Sequence, residues 1–515
     1  MKFSVTLFLT SFLLFQVGSR ALAQKKSAPN IIFIFSDDHS YQAIGAYGNK
    51  LAKTPHIDRL AKEGVLLTNN IVTNSICGPS RATLLTGKYS HKNGYKRNDR
   101  TLFDTNQTLF PELLRQNGYQ TAWIGKMHLN SLPVGFDYWN ILPGQGNYYN
   151  PDFISQPNDT TRYNGYVSDV ITQFSTDWLD KRDQSKPFFL IVGHKATHRE
   201  WLPDLQDLGA YDDVEFPLPA NFYDDYKGRN AAREQDMTIE KTMRLKQDLK
   251  VDADYEKDWT YNRFSPEQLK VFKTYYDKVS KEPADKKLTG RALTEWKYQR
   301  YLKDYLSTAN SLDRNIGKLL DYVDKSGLSE NTVVIYASDQ GFYLGEHGWF
   351  DKRFIYEESL KTPFIIRYPG VTNAGSKLDN LVLNIDWAPT VLDIAGTKVP
   401  SDIQGKSFLP LLKNPDTAKA SWRKDAYYHY YEFPEPHHVY PHFGIRTDRY
   451  KLAYFYGGAD SWELYDLKTD PTEMVNLYGS RNSEKIIADL KSRLKSLMNQ
   501  YQDSEALEIL AKAKK

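Results

Sequence analysis

Short apolar runs recur along the chain, and each closes on polar residues. Asn30–Ser36 (NIIFIFS) and residues 120–125 (QTAWIG), 187–192 (PFFLIV), 332–337 (TVVIYA) and 362–368 (TPFIIRY) show no regular alternation of apolar and polar positions. A strand that is apolar on both faces is buried on both, which is typical of a parallel sheet covered by helices. Helical patterns fall between the runs, at residues 54–64, Phe110–Gln116, 166–182 and 306–326. In the first of these, Thr54 is the candidate N-cap, Pro55 suits the first helical position and Gly64 the end. The alternation of strand and helix predicts an α/β fold.

Two regions break this rhythm. Residues 211–303 are rich in charge and tyrosine and poor in strand-like runs, so they read as an insertion of helices and loops. Residues 426–464 hold short aromatic runs between Gly and Asp turns, the pattern of an antiparallel sheet, and residues 483–514 continue as amphipathic helix. Residues 1–23 carry Lys2, an apolar stretch and Ala21-Leu22-Ala23, which predicts an export signal with an A-x-A cleavage site. The alternative, a membrane anchor, is disfavoured by Gln16 and Arg20 within the run. The mature protein is therefore expected to be exported, periplasmic or secreted, with no stable membrane insertion after signal removal.

Composition narrows the function. A net charge of +3 over 515 residues is weak, which argues against nucleic acid as a partner. Cys77 is the only cysteine, so an exported chain has no internal disulfide, and this residue is either inert or present for its chemistry.

The strand ends carry the candidate chemistry. In open α/β sheets ligands bind beyond the carboxyl ends of the strands. The runs end in Asp37-Asp38-His39, in Lys126-Met127-His128, in His194-Lys195-Ala196-Thr197-His198 and in Asp339-Gln340-Gly341. Parallel strands would bring these groups to one edge. Asp37, Asp38, Asp339 and Gln340 offer oxygen donors of the kind that Ca²⁺ and Mg²⁺ prefer. Lys126, His128, His198 and Lys352 would bind a tetrahedral oxyanion, and one of them would protonate a leaving oxygen.

These stretches resemble a known family. Residues 75–87 (SICGPSRATLLTG) resemble the C-x-P-S-R signature of the type I, formylglycine-dependent sulfatases, without a departure. Residues 118–128 (GYQTAWIGKMH) resemble that family's second signature, and residues 463–467 (ELYDL) with Asp470, Pro471 and Glu473 its C-terminal segment. The resemblance spans nearly the whole chain beyond residue 23. It implies an alkaline-phosphatase-like fold: a large mixed, mostly parallel sheet sandwiched by helices, with a smaller C-terminal antiparallel sheet and helix. It divides the chain into a catalytic domain, residues 24–412, and a C-terminal part, residues 413–515, that completes the substrate pocket.

It also implies a chemistry. Cys77 would be oxidised to Cα-formylglycine before folding, by a formylglycine-generating enzyme or an anaerobic sulfatase-maturating enzyme. Pro79 and Arg81 would belong to the element that enzyme reads, and Arg81 would later hold the formylglycine. Asp37, Asp38, Asp339 and Gln340, with residue 77, would hold Ca²⁺, Mg²⁺ being the less favoured ion. Lys126, His128, His198 and Lys352 would bind sulfate, with His198 or Lys352 as the acid. One departure is that many relatives have Asn at the position of Gln340.

The expected substrate is a sulfated glycan. Asp351 and Arg353 flank Lys352, and an acceptor beside a donor reads vicinal hydroxyls. Residues 194–203 and the tyrosine-rich stretch 427–442, with His437, His438 and His442, resemble the branch of carbohydrate sulfatases that act on N-acetylglucosamine-6-sulfate in heparan or mucin glycans. His442 and His347 are expected to join Asp351 and Arg353 at the sugar. The competing expectations are a sulfatase for galactose or uronic-acid sulfates, a phosphate or phosphonate ester hydrolase on the same scaffold, and a non-catalytic glycan-binding relative.

Overall fold

In the computed structural model, residues 28–513 are described. The expected export signal lies outside them. Ten strands form one sheet, in the order Ser376–Leu378, Val65–Leu67, Phe364–Arg367, Thr332–Ser338, Asn30–Ser36, Phe188–Gly193, Gln120–Lys126, Tyr138–Leu142, Asp152–Ser155 and Asp159–Arg162. The four expected runs sit side by side at its centre and pair in parallel. Two-sided burial explains their composition. Ile31, Phe33 and Phe35 enter the core on one face, and Ile32 and Ile34 the core on the other. Burying one such side chain contributes about 1.5–3 kcal/mol, so the central strands anchor both layers.

The fifth run is where the sheet turns mixed. Phe364–Arg367 pairs antiparallel with both Thr332–Ser338 and Val65–Leu67. The helix expected at residues 306–326 begins earlier, at Gly290, and runs to Lys325. Its first half is amphipathic through tyrosines, such as Tyr298, Tyr301 and Tyr305, rather than through aliphatic residues. The helix Pro55–Glu63 forms as expected, but Thr54 does not cap it. The Thr54 hydroxyl donates to Asp58 instead. The free amides of His56 and Ile57 are taken by the Asp313 carboxylate, from the long helix. The orphan donors of a helix start are thus satisfied from a residue far away in sequence.

Four antiparallel strands, Asp425–Tyr430, His442–Thr447, Tyr450–Phe455 and Ser461–Asp466, make the C-terminal sheet. The closing helix is two helices, Glu484–Tyr501 and Ser504–Lys512. The break falls at Gln502, whose φ is 59°, and Asp503 caps the second helix. Among the described residues no helix is long and apolar enough to cross a membrane.

Candidate active site

The four parallel strands deliver their polar ends to one place. Asp37 and Asp38 follow Asn30–Ser36, Asp339 and Gln340 follow Thr332–Ser338, Lys126 ends Gln120–Lys126, and His198 lies beyond Phe188–Gly193. Gly341 makes the turn after Gln340 possible. A Cβ there would lie 2.1 Å from the Glu358 carbonyl oxygen, so a side chain cannot fit. Cys77 is the first residue of the helix Cys77–Thr86, in which all ten residues are buried. It thus sits at the positive end of a buried helix, a favourable place for an anion.

The cluster is built around carboxylates. Arg81 donates to one Asp339 oxygen through Nε (3.0 Å) and a terminal nitrogen (2.9 Å), and to the Lys126 carbonyl at 2.9 Å. Lys126 contacts Asp37, and Lys352 reaches Asp38 at 2.7 Å. Gln340 donates to Asp38 and lies 3.5 Å from the Cys77 sulfur. His198 Nε2 stands 3.9 Å from Asp38, while its Nδ1 donates to the Arg199 carbonyl at 2.6 Å.

Burial sets the protonation states. It pushes the Cys77 thiol well above its usual pKa, so the residue as encoded is no thiolate. Burial and the Asp37 charge push Asp339 up to about 8. Against its own burial, Asp37 is held well below the usual carboxylate range by Lys126, His198 and Arg81. Burial, reinforced by Lys126, lowers His128 and His198 far below the ordinary imidazole value. Lys352 is buried too, yet Asp38 raises its pKa.

The donor set fits an oxygen-seeking cation. The acid groups Asp37 and Asp339 lie within 4.8 Å of one another and of the Cys77 sulfur, as do Asp38 and His198. Asp37 Oδ1 and Gln340 Oε1 are buried and accept no hydrogen bond among the described residues. An orphaned buried acceptor is costly, and two of them beside crowded carboxylates suit a hard divalent ion.

Gln145 escapes sequence reasoning. It accepts from Lys126, and its amide nitrogen lies 3.2 Å from His128 Nε2, so it bridges the two side chains. It sits in a loop without periodic pattern. Its only signal is the pair of flanking glycines, with φ of 54° and 68°.

Beside the cluster lies the expected sugar-side pair. Arg353 donates to Asp351 at 3.1 Å, to the Tyr430 hydroxyl at 3.3 Å and to Glu432. His437 Nε2 lies 3.4 Å from the other Asp351 oxygen. Two expectations are corrected here. His442 is on a strand and fully buried, its Nδ1 donating to the Tyr440 carbonyl (2.8 Å) and its Nε2 accepting from the Ile355 amide (3.1 Å). Neither nitrogen is left for a sugar. His347 is equally buried, binds Asp224 at 2.7 Å and packs among Tyr343, Trp349 and Tyr356. His39 is structural as well, held to the Tyr336 hydroxyl at 2.5 Å.

Comparisons with known proteins identify the family. The family model described as Sulfatase matches residues 29–397, and that described as N-sulphoglucosamine sulphohydrolase, C-terminal, matches residues 345–500. The chain is 48% identical over 503 residues to the N-acetylglucosamine-6-O-sulfatase of Bacteroides thetaiotaomicron, covering 95% of this chain and 90% of that protein. It is 28% identical over 490 residues to an ulvan-active sulfatase of Formosa agariphila, covering 92% and 82%. A protein solved in complex with its substrate D-glucosamine-2-N,6-O-disulfate superposes with a TM-score of 0.90 at 46% identity, covering 93% of this chain and 99% of that one. With its mixed ten-stranded sheet, its separate C-terminal sheet and the signature helix at Cys77, the chain belongs to the sulfatase family and is a hydrolase of sulfate esters.

Proposed function

We propose that this enzyme is an exported, exo-acting carbohydrate sulfatase that removes the 6-O-sulfate of N-acetylglucosamine from heparan or mucin-type glycans. The similarity to a 6-O-sulfatase of N-acetylglucosamine along 95% of the chain carries this reading. The solved relative supports it, since its substrate is a glucosamine with a 6-O-sulfate. At 28% identity a relative is named for another glycan, so the substrate rests on the nearer match.

The reading includes two groups that the chain acquires. Asp37, Asp38, Asp339 and Gln340 would hold Ca²⁺, which when bound lowers the pKa of an attacking hydroxyl and polarises sulfate oxygens. Residue 77, oxidised by a maturating enzyme to Cα-formylglycine, would supply that hydroxyl as its hydrate, together with a second hydroxyl for the release of sulfate.

The remaining chemistry belongs to the side chains in place. Lys126 and His128, bridged by Gln145, bind sulfate oxygens on one side. Lys352 and His198 both face Asp38 and bind the other side, and one of them passes a proton to the departing sugar oxygen. Arg81 keeps Asp339 oriented through two contacts that converge on one carboxylate oxygen. Asp351 and Arg353 take the sugar hydroxyls, and Glu432 and His437 orient them.

The test is sulfate release from a panel of sulfated monosaccharides by the Ca²⁺-loaded, matured protein, with Cys77→Ala as control and the mass of the peptide around residue 77 as proof of maturation. Release from N-acetylglucosamine-6-sulfate alone, and none by the control, is expected. Release only from galactose or uronic-acid sulfates would overturn the substrate, and release by Cys77→Ala would overturn the mechanism.

A further inference from the structure

The segment that carries Asp351, Lys352 and Arg353 has an unfavourable backbone. Asp351 and Arg353 have φ of 78° and 104°, in the region that side chains avoid. Such a conformation persists only where the surroundings over-determine it. Here much of the restraint comes from the C-terminal sheet. The Tyr428 hydroxyl donates to the Arg353 carbonyl at 2.6 Å and accepts from the Ser75 amide at 3.2 Å. One buried oxygen thus joins the segment two residues before Cys77 to the segment that would read the sugar. His442 accepts from the Ile355 amide at 3.1 Å, and the Tyr440 carbonyl fixes its tautomer. Its ring stacks on that of Tyr428, with centroids 5.5 Å apart. Ser359 adds a tie from the catalytic domain, accepting from the Arg353 amide at 2.8 Å.

The geometry points to Tyr428 and His442 as positioning residues: they hold Arg353 in its left-handed conformation, and Tyr428 also sets its place relative to residue 77. The inference deepens the proposed function, since Arg353 is the sugar-side donor in that reading. It gives His442 a part in recognition without any contact to the sugar.

The test combines amide exchange with kinetics on Tyr428→Phe, His442→Leu and His442→Gln. Losing one buried hydrogen bond should speed exchange of the peptide spanning residues 351–356 about fivefold to tenfold in Tyr428→Phe and His442→Leu. His442→Gln keeps an acceptor for the Ile355 amide and should restore most of the protection. With N-acetylglucosamine-6-sulfate, KM should rise by a similar factor of about five to ten in the first two variants, while kcat changes less than about twofold. A residue that served packing alone would lower thermal stability without this split and without rescue by Gln. Unchanged exchange in Tyr428→Phe, or a His442→Gln variant no better than His442→Leu, overturns the inference. If the wild type releases no sulfate from this sugar, the substrate reading falls, and the exchange data still decide the positioning role.

Discussion

Substituting Gln340 by Leu tests the cation site without recourse to activity. The side chain has similar volume, so the core is not emptied, but the orphaned Oε1 and the amide donor to Asp38 both go. A ligand that binds only the folded state stabilises it by RT ln(1 + [L]/Kd), or about 2.7 kcal/mol at a hundredfold excess over Kd. For a chain of this length the unfolding entropy makes that roughly 3 °C in Tm. Losing one of four oxygen donors should weaken the site by about a hundredfold, by analogy with the ten- to hundredfold cost of disturbing a ligand's support. At the same Ca²⁺ concentration the stabilisation then falls to about 0.4 kcal/mol, under about 1 °C. The assay is thermal unfolding with Ca²⁺ and with chelator, for wild type, Gln340→Leu and Cys77→Ala. Cys77→Ala leaves all four oxygen donors in place and should keep more of the shift than Gln340→Leu does. A Gln340→Leu protein with an undiminished Ca²⁺-dependent Tm would refute the assignment of Gln340 to the cation.

Buried charge gives two further expected outcomes. Arg81→Lys, made in a Cys77→Ala background so that maturation plays no part, retains the charge but cannot span both Asp339 and the Lys126 carbonyl; leaving a buried acceptor unsatisfied should cost about 1–3 kcal/mol in urea unfolding, and an unchanged stability would contradict this account. Glu463 is pushed up to about 7 by burial, although Tyr356 and Tyr465 donate to it. A carboxyl whose folded pKa lies above its unfolded value of 4.5 binds more protons when folded, so its contribution is fully present below pH 4.5 and is lost as pH rises through 7. The shift of about 2.5 units corresponds to at most about 3 kcal/mol. Stability of the wild type relative to Glu463→Gln should therefore decline from pH 4.5 to 7 and level off above, and a difference independent of pH would refute the assignment.

The parts of this site that are legible in the sequence are those that ride on strands. A continuous apolar run locates a two-faced strand, and the parallel arrangement then brings the polar residues at the end of each run to a common edge. That is why Asp37, Asp38, Lys126, His198, Asp339 and Gln340 meet in space although up to 303 positions separate them. The same logic weakens where a strand lies in an antiparallel pair covered on both sides. Along His442–Thr447 all six residues are buried, so alternation does not say which face the active site sees. His442 turns into the core, whereas His437, in the loop before it, reaches Asp351.

Support that arrives from a distance has no local pattern and stays hidden. Thr54 has the right residue type for an N-cap, yet Asp313 does that work because the long helix passes the same amides. Gln145 stands in a loop where no periodicity constrains it, yet it bridges Lys126 and His128. The left-handed residues Asp351 and Arg353 are the extreme case. Local propensity opposes their conformation, so no local pattern would predict it. Arg353 is tied at its carbonyl to Tyr428 and at its amide to Ser359, and Ile355 to His442, so two of these partners lie more than seventy positions downstream. In the proposed mechanism this segment must hold its side chains at fixed distances from residue 77, and here the two loops share one tyrosine hydroxyl. On the proposed reading the C-terminal sheet would bear on catalysis through backbone restraint as well as through the side chains it presents, and a sequence motif confined to the parallel strands records only the other half of that arrangement.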